Sequence, residues 1–190
     1  MDLTAQLQAF RPWNEQEERD RDVLLRLLES GQAPCGREDP AHLTASAWVV
    51  SPARDRVLLA YHNLYDSWAW LGGHADGERD LLSVALREVR EESGLEDVRP
   101  VSRDVYSVEI LTVDGHEKRG RYVSSHLHLN VTFLLEADPG APVRRKADEN
   151  SAVGWFSLEE AVAASTEPWF QKRIYSKLNA KLAGFPPREV

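Results

Sequence analysis

Residues 70–95 read WLGGHADGERDLLSVALREVREESGL. Gly72 and Gly73 open a loop, and the pattern after Asp80 turns helical. Leu82, Leu86 and Val89 fall on one stripe at helical spacing, while Asp80, Ser83, Arg87 and Arg90 fall on a wetter side. With Glu88 at zero on a wheel of about 100° per residue, Glu91 lies about 60° to one side and Glu92 about 40° to the other. Three carboxylates thus share one face within a single turn, and Glu96 follows just after Gly94. Like charges at these spacings destabilise an isolated helix. They also crowd the C-terminal end, where the helix dipole favours cations. Two readings account for them: a solvated acidic face, or oxygen ligands for a hard divalent cation such as Mg2+ or Mn2+. The diglycine in front favours the second, because its backbone can approach a ligand closely.

This stretch resembles the signature box of the Nudix hydrolases, G-x5-E-x7-R-E-U-x-E-E-x-G-U, where U is a bulky apolar residue. Gly73, Arg87, Glu88, Val89, Glu91, Glu92, Gly94 and Leu95 match at the required spacing. So many fixed positions in one window form a specific signal. One position departs: Arg79 stands where the family has its first Glu, between Glu78 and Asp80. In the family that Glu supports the loop and the box arginine, and either acidic neighbour is placed to substitute for it. The lead-in differs too, with Trp68, Trp70 and Leu71 where the family shows Trp-x-Leu-Pro.

Outward from the box, the chain has 190 residues, 42% of them hydrophobic, enough for a substantial core. A net charge of -8 argues against general binding to nucleic acid or an anionic membrane. Apolar runs stay short of the roughly 20 residues of a membrane span, and no signal peptide opens the sequence. The single cysteine, Cys35, makes no internal disulfide. A cytoplasmic location is therefore expected.

Residues 1–41 read as an N-terminal helical arm. Leu3, Leu7 and Phe10 form a short amphipathic turn that stops at Arg11-Pro12. Asn14 with Glu17 resembles a capping box, and the helix behind it carries Val23, Leu24, Leu27 and Leu28 up to Gly31. The arm either packs on the core, the favoured reading, or pairs two copies in a homodimer. Residues 42–190 form the second unit. Strands are expected over 43–50 and 56–61, joined as a hairpin, then over 105–113 and 123–135. In the last of these, Leu127, Leu129, Val131, Phe133 and Leu135 face one way, and His126, His128, Asn130 and Thr132 face the other. No cysteine or third histidine stands at a suitable spacing from His126 and His128. The sequence thus points away from zinc and toward polar residues lining a cleft. Lys118, Arg119 and Arg121 are either a solvated loop tip or a phosphate clamp. Arg144, Arg145 and Lys146 lie in a turn-rich loop, and a helix is expected over 168–182.

The resemblance covers about residues 42–182 and implies an α/β/α sandwich around a mixed β-sheet. It implies Mg2+ or Mn2+ held by Glu88, Glu91 and Glu92, with a loop carbonyl, that of Gly72, completing the site. Glu88 or Glu149 would act as general base and Arg87 would orient the carboxylates. Lys118, Arg119 or Arg121 would bind a distal phosphate. The activity implied is hydrolysis of a diphosphate linkage in a nucleoside diphosphate joined to another moiety, a small-molecule substrate. Two alternatives remain. Isopentenyl-diphosphate isomerases share the fold but place a catalytic cysteine near this loop, where the present chain has glycines. A non-catalytic nucleotide-binding module would ordinarily lose the box carboxylates, which are retained here.

Overall fold

Strand β1, Ala41–Val50, explains most of the architecture. Leu43, Ala45, Ala47 and Val49 enter one hydrophobic core, and Trp48 and Val50 enter a second on the opposite face. His42, Thr44 and Ser46 share the face of Trp48 but line a cavity instead. The strand is thus apolar throughout on one side, and on the other it changes from polar to apolar along its length. The computed structural model from which this is read describes residues 2–31, 35–118 and 120–187.

Helices α1 (Leu3–Ala9) and α2 (Glu15–Glu29) come first. Leu7 and Leu24 are fully buried in the first core, so the arm packs into the body. Asn14 caps α2 by accepting from the Glu17 N–H at 3.0 Å, but Glu17 does not complete the expected box. Its carboxylate accepts from the Trp13 N–H at 2.7 Å and turns inward to lysines.

After β1 come β2 (Arg56–His62), β3 (Ser67–Ala69), β4 (Leu71–His74) and helix α3 (Leu81–Ser93). Then follow β5 (Val98–Pro100), β6 (Ser107–Val113), β7 (His116–Lys118), β8 (Arg121–Val123), β9 (His126–Ala137) and β10 (Asn150–Ser157). The C-terminal layer is α4 (Leu158–Ala164), a π-helical segment Phe170–Tyr175, and α5 (Ser176–Lys181). The expected helix over 168–182 is therefore wound in two ways along its length.

The main sheet runs β10-β2-β1-β9-β5, with β3, β4 and β6 joined to β2, β1 and β9 respectively. It is mixed: β1 and β9 are parallel, and the other pairings are antiparallel. Strand β1 gives its middle, Thr44–Ala47, to β4 and its last two residues to β2, so the sheet splits at the site. The alternation read in β9 holds: Leu129, Val131, Phe133 and Leu135 are in the first core, while His126, His128 and Asn130 face the cavity. Strands β7 and β8 form a separate small hairpin. Helix α3 packs its buried Leu82, Val84, Ala85 and Val89 into the first core, and α4 with α5 covers the second. Each such side chain is worth about 1.5–3 kcal/mol for the surface it hides. This is the α/β/α sandwich expected.

Candidate active site

Helix α3 is fixed at both ends. Asp80 caps its start, accepting from the Ser83 N–H at 3.3 Å and the Ser83 hydroxyl at 2.8 Å. Gly94, at φ 72°, closes its end in the left-handed region. Between them the box carboxylates reach different surroundings. Glu92 is only 6% exposed and accepts from the Gly72 N–H at 3.2 Å. Glu88 lies over the diglycine: a Cβ on Gly73 would come 2.5 Å from the Glu88 carboxyl carbon. A Cβ on Gly72 would meet the Ala45 carbonyl at 2.6 Å, because β4 is pressed against β1 there. Space requires glycine at position 72, whereas a side chain at 73 would displace the Glu88 carboxylate.

Glu88, Glu92 and Glu149 come together, offering carboxylate oxygens that all lie within 4.8 Å of one another. Glu149 arrives from the loop before β10. Asn150 clamps that loop to α3, donating to the Glu92 carbonyl at 3.1 Å and accepting from the Lys146 N–H at 3.1 Å. Glu91, placed with the metal ligands by the sequence pattern, stands outside this trio. Lys146 holds it at 3.1 Å and holds Glu149 at 3.0 Å. Arg87 pairs more closely with Glu88, at 2.8 Å, than with Glu91, at 3.9 Å. It also reaches the His74 carbonyl, at 3.4 Å.

Burial, then the charge of Glu88, pushes the Glu92 carboxyl up to about 8. A carboxyl so placed holds its proton at neutral pH unless a cation replaces it. Burial alone would pull Lys146 down, but Glu149 and Glu91 outweigh it and leave its pKa raised.

The two acidic neighbours of Arg79 bind the local backbone, and neither is among the partners of Arg87. Glu78 accepts from the Arg79 and Asp80 N–H groups at 2.7 and 2.8 Å and lines the cavity, and Asp80 caps the helix. Arg79 itself is exposed. Asp76, held by Arg37, completes the loop.

These groups open into a cavity of about 1120 Å³. Its back wall is a polar network: Thr44 and Ser46 donate to the Asn130 side chain at 3.0 and 2.8 Å, and Asn130 donates to Glu109 at 3.1 Å. Trp70 and Phe170, edge to face with centroids 6.0 Å apart, supply an apolar flank. Lys118 stands at the rim on β7; Arg121 is exposed on β8 and does not line the cavity. Arg119 lies outside the described residues. Cys35, far upstream in sequence, returns beside the loop and accepts from the Gly77 N–H through its carbonyl. Its side chain packs against the first core and does not line the cavity.

A family model described as NUDIX domain matches residues 40–178. The chain belongs to the Nudix family. Mouse bis(5'-nucleosyl)-tetraphosphatase [asymmetrical] is 31% identical over 107 residues, which cover 55% of this chain and 65% of the mouse protein. The match therefore spans just under two thirds of that relative. Among solved structures, a C. elegans Ap4A hydrolase binary complex superposes with a TM-score of 0.52 at 20% identity, covering 75% of this chain and 98% of that one. A Nudix hydrolase from M. smegmatis, RenU, gives 0.55 at 16% identity, covering 78% and 90%. These two likenesses establish the Nudix fold. No helix among the described residues is long and apolar enough to cross a membrane.

Of the residues singled out in the sequence, the structure brings Glu88, Glu92 and Glu149 together and sets Arg87 against Glu88. The sequence pattern missed the roles of Lys146 and Asn150, and it missed Arg37, His42 and His74 on the cavity wall. Asn150 directly follows Glu149, and that adjacency was the one local signal available.

Proposed function

We propose that this Nudix chain hydrolyses a phosphoanhydride bond in a nucleoside diphosphate linked to a further moiety, in a reaction that requires Mg2+ or Mn2+. The observation that carries the reading is the convergence of Glu88, Glu92 and Glu149, with Glu92 buried against its neighbours' charge. Three oxygen donors that repel one another in a half-buried cleft fit a hard divalent cation. Glu88, Glu92 and Glu149 would hold it, with Glu91 and the Gly72 carbonyl at the margin. When bound, such an ion polarises phosphoryl oxygens and lowers the pKa of coordinated water.

The chain's own groups account for the rest. Arg87 fixes the Glu88 carboxylate in one orientation through the 2.8 Å pair. Glu88 and Glu149 are the two carboxylates available to take the proton of the attacking water. Lys146 keeps the Glu149 loop closed on α3. Lys118, with Arg119 and Arg121 in the same hairpin sequence, attracts the distal phosphate. Trp70 and Phe170 offer a flank for a base. The cavity volume exceeds the upper end of ordinary small-ligand pockets, about 1,000 Å³, which supports an extended substrate. The mouse relative is named for bis(5'-nucleosyl) tetraphosphates. A dinucleoside polyphosphate is accordingly the first substrate class for this chain.

The test is a panel of dinucleoside polyphosphates, nucleotide sugars, ADP-ribose and nucleoside triphosphates, assayed with Mg2+, Mn2+ or EDTA. Release of a nucleotide or phosphate product that EDTA abolishes is expected for at least one member. Absence of turnover across the panel with both metals rejects the proposal.

A further inference from the structure

Four imidazoles gather on the cavity wall, away from the carboxylate trio. The sheet register brings them there. His42 on β1 is the parallel ladder partner of His128 on β9, and His126 lies two residues before His128 on the same face. His74 on β4 pairs with Thr44, two residues along β1 from His42. One nitrogen from each ring lies within 4.8 Å of one from every other. Ring centroids for His42–His74, His42–His126, His74–His128 and His126–His128 are all 5.0 Å apart, and His42–His128 is 5.1 Å.

Hydrogen bonds fix two of the tautomers. The Nδ1 of His42 is 2.9 Å from the Asp39 carbonyl, and the Nδ1 of His126 is 2.8 Å from the Ser124 carbonyl. A carbonyl only accepts, so both Nδ1 atoms carry the proton and both Nε2 atoms present lone pairs. This is how metal-ligating histidines are ordinarily set by their outer partners. His42 is 2% exposed, and its Nε2 is buried without a hydrogen-bond partner. Such an orphaned acceptor costs about 1–3 kcal/mol unless something fills the space in front of it. The Nε2 of His126 meets the Nε2 of His128 at 3.2 Å.

We propose that His42, His74, His126 and His128 form a binding site for one d-block divalent cation of the Zn2+ class, separate from the carboxylate site. A tetrahedral Zn2+ with bonds of about 2.05 Å separates its ligand nitrogens by about 3.3 Å and places the ring centroids about 5.2 Å apart. The 3.2 Å nitrogen pair and the ring spacings of 5.0–5.1 Å meet both requirements. The remaining nitrogens, all within 4.8 Å of one another, would close inward on loading. Imidazole nitrogens suit Zn2+, Co2+ or Ni2+ and bind Mg2+ poorly, whereas carboxylate oxygens suit Mg2+ or Mn2+ when these are in excess. Two ions of different hardness then sort themselves between the two sites.

The experiment titrates metal-stripped full-length protein with Co2+ in saturating Mg2+, following visible absorption, and with Zn2+ by calorimetry. About one ion per chain should bind with the intense visible bands of tetrahedral Co2+. H128A and H126A should each weaken binding by about a hundredfold or more, and E92Q should leave it intact. Circular dichroism confirms that each variant is folded, and H126A guards against loss of the more buried site. Co2+ with only weak octahedral absorption, or binding indifferent to both histidine variants, overturns the proposal. Loss of the ion in E92Q overturns it as well, because the ion would then belong to the carboxylates.

Discussion

Two groups of glutamates meet lysines in this molecule, and they end in opposite electrostatic states. In the core, Glu17 and Glu109 face Lys177 and Lys181. Lys177 lies 3.3 Å from Glu17 and 2.9 Å from Glu109, and Lys181 lies 2.7 Å from Glu17. The remaining oxygens are satisfied by the Trp13 N–H on Glu17 and by Thr132 and Asn130 on Glu109, and Ser107 adds a bond to the Glu17 oxygen that the lysines hold. Burial pushes Glu17 up, but the two lysines more than offset it and its pKa is lowered. At the cavity, among the described residues, the ion pairs of Glu88, Glu91 and Glu149 are with Arg87 and Lys146. Glu92 has a backbone N–H for company and is pushed up to about 8. Glu17 and Glu92 are both buried, so burial alone does not decide the state of a carboxylate. The count of partnered cations does. The first group is complete and supports the sheet. The second is short of positive charge, which is the condition for binding a metal.

The comparison breaks most visibly at Lys177. K177M leaves Glu109 and Glu17 buried with half their compensation, and removing one partner of such a pair costs about 3–5 kcal/mol. Urea unfolding should show that loss, while activity per folded molecule stays near wild type. A change below about 1 kcal/mol would mean the network is not what holds this edge.

E92Q is the mirror experiment. It removes a charged ligand from the incomplete group and should lower kcat at least a hundredfold, on the order of 3 kcal/mol in barrier. Unchanged turnover removes the role assigned to Glu92.

The same residue sharpens the contrast through pH. Its folded pKa, about 8, lies above the unfolded value of 4.5, so the folded state holds the extra proton between them. Metal-free stability is full below the lower value and falls as pH rises through the upper one. E92Q cannot ionise, so metal-free E92Q should exceed metal-free wild type above that pH by on the order of 5 kcal/mol, the gap between 4.5 and about 8 at about 1.4 kcal/mol per pH unit. Thermal melts in EDTA across the range check this, and parallel curves for the two proteins would contradict the burial assigned to Glu92. Glu17 has the opposite sign: its lowered pKa adds stability above the unfolded value that is lost on acidification.

The smallest effect belongs to Lys118, at the exposed rim. K118A should raise KM about fivefold at low salt, with kcat little changed and the difference shrinking as salt screens it. A kcat loss instead would move Lys118 from attraction to chemistry.

The sequence by itself determined the local features of α3: its apolar stripe, the carboxylates sharing one face and the diglycine loop in front of it. These depend on spacings within a few turns, and a helix keeps such spacings wherever it is packed. It also determined the alternation of β9, because a strand's two faces differ by one residue. It missed whatever is assembled across strands. His42 and His74 joined His126 and His128 only through the β1–β9 and β1–β4 registers, so a search for a third histidine at local spacing found none. Lys146 and Glu149 met α3 through a loop clamped by Asn150, and Lys146 there pairs with Glu91. Glu17 looked like half of a capping box and became a buried ion-pair partner, because α5 brought two lysines to it. Helix and strand periodicity is a property of neighbouring residues, whereas the charge balance of a site depends on which distant segments the packed core brings within a few ångströms.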